Sequence, residues 1–387
     1  MKIAIVHNFY RSQSPSGENA AVQLQLQVMR KRGHDVQLFS KSSDEISSGS
    51  FAKALAGVSV ATGFHDDSRL LEDINNFSPD VVHIHNTFPT IGSRWLRSLG
   101  YPIVATLHNL RPICAAGTLN KGGRDCTLCP DSWSMNAVVN KCYRSSAIAS
   151  APLALATRKS GSANILCARA NAVVVLSPYA REIYSKYMRL DNKLHLVPNP
   201  APHEPIPSNG STPAKWVYVG RLSKEKGILE LVSSWPEDEQ LEIFGSGDLE
   251  ETLILAINDK RNIRYLGSLD SSEVQSVLVN ALGLIFPSIC RENAPMIYVE
   301  ALSAGLPVVA YGGNSVANTV ELDRTGVVFR EWDELSKRLK YLSQNRHFYS
   351  ERALTVATER YSTSAWAESL EDIYLEAKRN FERTGVI

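Results

Sequence analysis

Residues 286–308 read FPSICRENAPMIYVEALSAGLPV. Two glutamates, Glu292 and Glu300, stand eight apart, the first ahead of Pro295 and the second inside an apolar run. Pro295 fits the first turn of a helix, where its missing N–H costs nothing. The helix is expected to run through MIYVEALSA and to stop at Gly305. Glu292 then lies in the loop ahead of it, and Glu300 about one and a half turns in. The free N–H groups and positive dipole end of this helix, with Asn293 and Ala294, make an anion site. A carboxylate beside it can accept hydrogen bonds from sugar hydroxyls, and its two oxygens match the vicinal diol of a ribose. The plainer reading is two unrelated charges, but Glu300 sits among apolar residues, where a carboxylate needs a partner.

Outward from this stretch, strand-like and helix-like segments alternate, the pattern of an α/β chain with parallel sheets. KIAIV (2–6), VQLFS (36–40), VVHIH (81–85), IVATL (103–107), AVVVL (172–176) and LHLVPNP (194–200) read as strands of the first half. The helix that ends in VMRKRG is expected to stop at Gly33. Residues 200–214, PAPHEPIPSNGSTPA, are dense in Pro, Ser and Gly and read as a linker. The alternation restarts with KWVYVG (215–220), LEIFG (241–245), IRYLG (263–267), LGLIF (282–286), LPVVA (306–310) and TGVVF (325–329). Two such halves joined by a hinge imply a cleft, a favoured place for a ligand.

The bulk numbers fit this division. The chain has 387 residues, enough for two or three domains, with 44% hydrophobic and 21% charged residues. The net charge of +1 hides an asymmetry: residues 1–200 carry 22 Lys and Arg against 13 Asp and Glu, and the remainder carries 19 against 27. That reads as two domains with different partners, or as drift in surface composition. The apolar runs are too short and interrupted to span a membrane. The opening MKIAIVHNFYRS looks like a first strand rather than a signal peptide, so a cytoplasmic protein is expected.

Two further strand ends carry candidate chemistry. VYVGRLSKEKG (217–227) runs a strand into Gly220 and places Arg221 and Lys226 at its C-terminal end, the edge where open α/β sheets bind ligands. A guanidinium fork and an ammonium suit a diphosphate, although a solvated basic loop would read the same way. In FGSGDL (244–249), Gly245 and Gly247 let backbone approach a phosphate or base closely. Nothing matches the dinucleotide fingerprint.

Taken together, RENAPMIYVEALSAGLPVVA, VGRLSKEKG and FGSGDL, in this order, resemble the E-x7-E signature and companion motifs of retaining glycosyltransferases of family 4, along essentially the whole chain. The resemblance implies the GT-B fold, two Rossmann-like parallel-sheet domains facing each other across a cleft. It divides the chain into an acceptor-binding domain (1–198) and a nucleotide-sugar-binding domain (199–363), with the amphipathic C-terminal helix 364–387 crossing back onto the first. Glu300 would bind the donor ribose, and Glu292 and the backbone of Asn293, Ala294 and Pro295 the donor sugar and phosphates. Gly220, Gly245 and Gly247 would line the donor site, and Arg221 and Lys226 would stabilise the departing diphosphate. SPSGENA (14–20) is similar to the family's G-G-x-E loop, with Ser16 at the usual first glycine and Gly17 kept. His108 matches the family position near the transferred sugar; a histidine capping a strand end is the other reading. Cations and helix N–H groups would do what a divalent metal does elsewhere, so no cofactor is expected for catalysis. Retention without a nucleophile suggests front-face attack, with the leaving phosphate taking the acceptor proton.

Cys167 and Cys290 read as buried small hydrophobes. Cys114, Cys126, Cys129 and Cys142 cluster as C-x11-C-x2-C-x12-C, which leaves open a structural zinc, reduced structural thiols, or a disulfide or redox role. The long stretch 111–146 that holds them is expected to shape the acceptor site. The basic first half suggests an anionic or lipid-linked glycan acceptor and peripheral contact with an anionic membrane at its inner face, with no nucleic acid partner. The general likeness is to capsule and exopolysaccharide transferases, with UDP-sugars the commoner donors. The competing functions are a sugar-nucleotide epimerase on the same fold and a non-catalytic nucleotide-sugar binder.

Overall fold

The computed structural model describes residues 1–10, 16–45, 50–122, 124–159, 161–204 and 214–384. Residues 205–213 of the expected linker, and Ser14 and Pro15 of the loop that resembles G-G-x-E, lie outside them. The chain divides into two compact units, Met1–Lys121 with Cys126–Pro198 and the C-terminal residues from Trp366, and Gly122–Asp125 with Asn199–Ala365.

The first unit is built on a parallel sheet of β1 (Lys2–Phe9), β2 (Asp35–Ser42), β3 (Val81–Asn86), β4 (Ile103–Leu107), β7 (Ala172–Val175) and β8 (Leu194–Leu196), in the order β2-β1-β3-β4-β7-β8. Two two-residue strands, β5 (Asn120–Lys121) and β6 (Arg124–Asp125), fall between β4 and β7. Parallel strands covered on both faces read as continuous apolar runs, which is why KIAIV and AVVVL were legible. β1 and β3 carry the buried polar residues His7, Asn8, His83 and His85. Ser16 caps the helix Gly17–Lys31 by accepting from the Asn19 N–H, and Gly33, at φ +85°, follows its end. The C-terminal helix Thr363–Thr384 buries Ala367, Leu370, Tyr374 and Ala377. Tyr374 accepts from Gln25 at 2.9 Å, Glu371 takes both Arg32 and His34, and Lys378 reaches Asp80.

The second unit repeats the plan with β9 (Lys215–Val219), β10 (Gln240–Phe244), β11 (Ile263–Tyr265), β12 (Gly283–Phe286), β13 (Val308–Tyr311) and β14 (Gly326–Phe329), all parallel, in the order β11-β10-β9-β12-β13-β14. Alternate residues serve opposite faces. Trp216, Tyr218, Ile243, Ile285, Val309 and Phe329 pack with Leu231 and Leu339 on one side. Val217, Phe244, Leu284, Phe286 and Val308 pack with Leu302 and Val356 on the other. Among the described residues no helix is long and apolar enough to cross a membrane.

Candidate active site

In the second sheet the strand order reverses between β9 and β12: the chain leaves β9 towards β10 on one side and reaches β12 on the other. The loops beyond the C-terminal ends of two such strands form the natural binding crevice of an open α/β sheet. Gly220, Arg221 and Lys226 follow β9, and Glu292 follows β12. The topology brings these sequence-distant residues to one place.

Lys226 and Glu292 meet there. The Lys226 Nζ lies 2.5 Å from Glu292 Oε2, and the two side chains are 18% and 14% exposed. Ser288 donates its hydroxyl to the other carboxylate oxygen, and Ser315 donates to the Glu292 backbone carbonyl. Gly227 makes the approach feasible: at φ +68° a Cβ there would stand 2.3 Å from the Pro287 carbonyl. The Ile289 N–H donates to Glu225 O at 3.0 Å and ties the two loops together. Arg221 is different. It is 61% exposed and pairs with Glu225 at 3.3 Å, a solvated ion pair of little energetic weight.

Gly245 and Gly247 have a local reason beyond the one the sequence suggests. At φ +140° and +154°, a Cβ on Gly245 would fall 1.8 Å from Gly220 O, and one on Gly247 2.5 Å from Leu222 O. The loops after β9 and β10 are laced by Gly220 N–H to Phe244 O and Leu222 N–H to Ser246 O. The close approach these glycines permit is to the chain's own backbone.

The helix of the opening stretch spans Met296–Ser303. Pro295, extended at ψ 121°, is the residue just before it rather than part of its first turn. The helix ends as read. The Gly305 N–H bonds Leu302 O, the Leu306 N–H bonds Ala301 O, and Gly305 takes φ +61°. Its first N–H groups carry the positive dipole end towards the loop of Asn293 and Ala294. Glu300 is half-buried, and no hydrogen bond to its carboxylate exists among the described residues. Burial alone lifts it to about 7. A carboxylate withdrawn from water without a partner costs free energy that a ligand's hydroxyls would recover.

The first sheet reverses between β1 and β3, and its edge carries other chemistry. His83 stacks on His85 with ring centres 4.3 Å apart, and His85 stacks on His108 at 5.2 Å. His85 Nδ1 and His108 Nε2 share a hydrogen bond of 2.8 Å; His83 is held by Tyr374 and Thr106, each at 2.7 Å. His7 meets Asn19 at 3.0 Å. Burial lowers His7 to about 4 and His83 and His108 to about 3, so this column is neutral at pH 7. His108 therefore belongs to a set, which the sequence reading took singly.

Gly17, exposed, opens the helix that follows β1. The next residue, Glu18, is drawn inward. Its carboxyl hydrogen-bonds Tyr10 beside the Arg111 guanidinium, and burial raises it to about 8. The Arg111 guanidinium lies over the Phe88 ring at 4.2 Å. A cavity of about 100 Å³ is lined by His85, Asn86, His108, Asn109 and Arg111 on its polar side. His7 Nδ1, Glu18 Oε1, His85 Nε2 and Arg111 Nε are buried without a partner. Buried polar atoms are nearly always paired, so four unpaired ones at one edge are hydrogen-bonding capacity that a ligand could take up. Of these residues sequence reasoning found only the neighbour, His108. The available signal was His83 and His85 at alternate positions of a strand otherwise apolar.

Cys167 and Cys290 are buried, as read. Cys129 is raised to about 11, first by burial and then by Cys114, Cys142 and Cys126, so the four thiols share one neighbourhood. They are free and half-buried. Among the described residues no three His, Cys, Asp or Glu side chains are grouped to hold a metal ion.

Residues 17–204 match the family described as Glycosyltransferase Family 4, and residues 203–358 match Glycosyl transferases group 1. The chain is 27% identical over 171 residues to the alpha-monoglucosyldiacylglycerol synthase of Acholeplasma laidlawii, covering 41% of this chain and 43% of that one. It thus spans under half the length of that curated relative. It is 25% identical over 324 residues to the phosphatidyl-myo-inositol mannosyltransferase of Mycobacterium leprae, covering 78% of this chain and 76% of the relative. Among solved structures, Anabaena Alr3699/HepE in complex with UDP and glucose superimposes with a TM-score of 0.64 at 13% identity, over 96% of this chain and 98% of that one. At that identity the likeness speaks for the fold alone.

Proposed function

We propose that this chain, whose residues 17–204 match Glycosyltransferase Family 4 and residues 203–358 Glycosyl transferases group 1, is a GT-B glycosyltransferase of family 4 type that transfers a sugar, with retention, from a nucleotide-diphosphate sugar. The acceptor is a glycan or lipid-linked glycan of surface polysaccharide assembly, met at the inner face of an anionic membrane. UDP-sugars are favoured as donors, in keeping with the UDP held by the structural neighbour named above. The observation that carries the reading is the unpartnered, half-buried Glu300 on the same helix that begins beyond the Lys226–Glu292 pair.

In this reading the Glu300 carboxylate accepts both ribose hydroxyls, and the diphosphate lies at the start of the helix Met296–Ser303. Lys226, held in place by Glu292, turns its charge to the phosphates as the C1–O bond breaks. Positive charge grows on the sugar and negative charge on the leaving group, and a cation already oriented needs no rearrangement to meet it. Glu292 then has one oxygen on Lys226 and one near the sugar. Arg221, exposed, exchanges Glu225 for phosphate. The neutral His108, oriented by His85, offers a sugar hydroxyl a hydrogen-bonding group rather than a cation. The leaving phosphate takes the acceptor proton, and no metal takes part. The epimerase alternative needs acid and base groups to eliminate the nucleotide; the spacing of Glu292 and Glu300 and the GRLSKEKG loop favour transfer instead.

Incubation with a panel of UDP-sugars and GDP-sugars, followed by proton NMR of the anomeric signals, tests this. Cleavage of one donor with an α-configured first product, unaffected by EDTA, is expected. A β-configured first product overturns retention, and loss of cleavage in EDTA overturns metal independence.

A further inference from the structure

Two helices of the first unit, Ser50–Thr62 and Ala147–Ala156, are apolar around most of their circumference. The first reads SFAKALAGVSVAT, and the second, AIASAPLALA, carries no charge at all. A helix of that kind belongs in a protein core or in lipid. Among their described side chains, some are buried and others open to solvent. The two helices touch at Gly57 and Pro152, where a Cβ on the glycine would stand 3.2 Å from the proline ring. Their inner faces contribute Ser59, Val60, Leu153 and Ala156 to the cavity that also holds His85 and His108. Their outer faces remain open: Leu55 is 62% exposed, Val58 59%, Ile148 88% and Leu155 40%. Leu55 and Val58 are three apart, and Ile148 and Leu155 seven, so each pair shares a helix face. Phe64, just past the first helix, is exposed as well.

The border of this apolar face is basic. Leu155 and Thr62 share a recess with Arg94, Arg97 and Arg158, and Arg94 Nε donates to the Thr62 carbonyl at 2.9 Å. All three arginines and Lys159 are exposed.

We propose that the outer faces of these two helices dock on an anionic lipid bilayer, the apolar side chains entering the interface and the arginines meeting lipid phosphates. The chemistry favours a bilayer over a second copy of the chain. A two-fold partner would set the same arginines near their own images, whereas phosphates neutralise them. Interfacial helices combine these two elements, apolar insertion and a basic flank. The proposal rests on the membrane contact proposed above and names the surface that makes it. It also places the polar wall of the cavity, with His85 and His108, on the inner side of the helices that touch lipid.

The test is co-sedimentation of the full chain with vesicles of phosphatidylcholine alone and of phosphatidylcholine with phosphatidylglycerol, at low and high salt. The wild type should bind the anionic vesicles more strongly, with part of the difference lost in high salt. Val58→Ser with Ile148→Ser should lower binding by roughly tenfold, since each side chain gives up its apolar burial. Arg94→Gln, Arg97→Gln and Arg158→Gln together should remove the preference for anionic vesicles and spare the rest. All are exposed positions, and unchanged melting temperatures confirm folding. Variants that bind like the wild type assign the contact to another surface and overturn the proposal. A wild type that ignores both vesicles overturns the membrane contact too. A wild-type dimer in solution that the serine pair dissociates, without vesicle binding, assigns the face to a second copy instead. Nucleotide binding, measured on the same samples, reports separately on the donor reading.

Discussion

The two sheets have nearly the same plan and place loops at the same reversal of strand order, yet their C-terminal edges carry opposite chemistry. The first edge is a column of imidazoles that burial keeps uncharged, joined ring to ring by hydrogen bonds and stacking. The second holds charges: a shielded Lys226–Glu292 pair, an exposed Arg221–Glu225 pair and the unpartnered Glu300. The difference teaches what topology does and does not specify. It fixes where the strand ends gather, and the residues that end the strands decide whether that edge is charged or neutral.

The contrast can be broken most forcefully at Lys226. Lys226→Ala should lower kcat by about 10²–10³-fold, the usual loss when one preorganised donor is removed from developing charge. Arg221→Ala, which removes an exposed and weakly paired cation, should cost at most about tenfold. Steady-state kinetics with a cleaved donor decides, and equal losses would erase the distinction drawn between the two cations.

Next in size is the lacing of the second edge. Gly245→Ala should destabilise the chain by about 2–4 kcal/mol, because the new Cβ collides with Gly220 O and the backbone sits in a region few residues tolerate. A urea melt checks it. A shift within error would mean that the loop gives way and that the glycine serves a ligand instead.

Acid should separate the edges. His7, His83 and His108 have lowered values in the folded chain and an ordinary value near 6.5 when unfolded. Their contribution is complete above about pH 6.5 and is lost as pH falls towards 4, by about 1.4 kcal/mol per pH unit for each proton the unfolded chain gains. Hydrogen exchange should show β1, β3 and β4 losing protection on acidification before β9 and β12. Equal loss in both sheets would contradict the contrast.

The smallest effect concerns the raised carboxyls and runs the other way. Glu300, at about 7, and Glu18, at about 8, hold protons that the unfolded chain releases near the ordinary value of 4.5. The stability they lend is therefore present at low pH and declines as pH rises towards those values. Glu300→Gln should flatten this decline and raise the melting temperature at pH 8 by a few degrees, about 1 kcal/mol. No change would mean that Glu300 finds a partner in solution.

Much of this was legible in the sequence. Strands such as β4, β7, β12 and β14 showed as apolar runs because they are covered on both faces, and the helix stop at Gly305 followed from its place before Leu306 and Pro307. The donor-edge candidates lay in recognisable turns. Three things were not legible. Glu292 meets Lys226 across 66 positions of chain, a contact that only the sheet order creates. Gly245 and Gly247 looked like ligand glycines because φ and packing partners are invisible in a string of letters. Glu18, His85 and Arg111 became visible only once burial exposed their unpaired atoms.

The central proposal is that the Glu300 carboxylate binds the ribose of the donor nucleotide. Thermal melting of the wild type and Glu300→Ala with UDP, GDP and ADP, with and without EDTA, tests it most directly, since a ligand of the native state raises the melting temperature with its concentration over Kd. The account predicts that one nucleotide, UDP, stabilises the wild type regardless of EDTA and that Glu300→Ala loses the shift. Stabilisation that survives in Glu300→Ala, or none with any of the three, would contradict it.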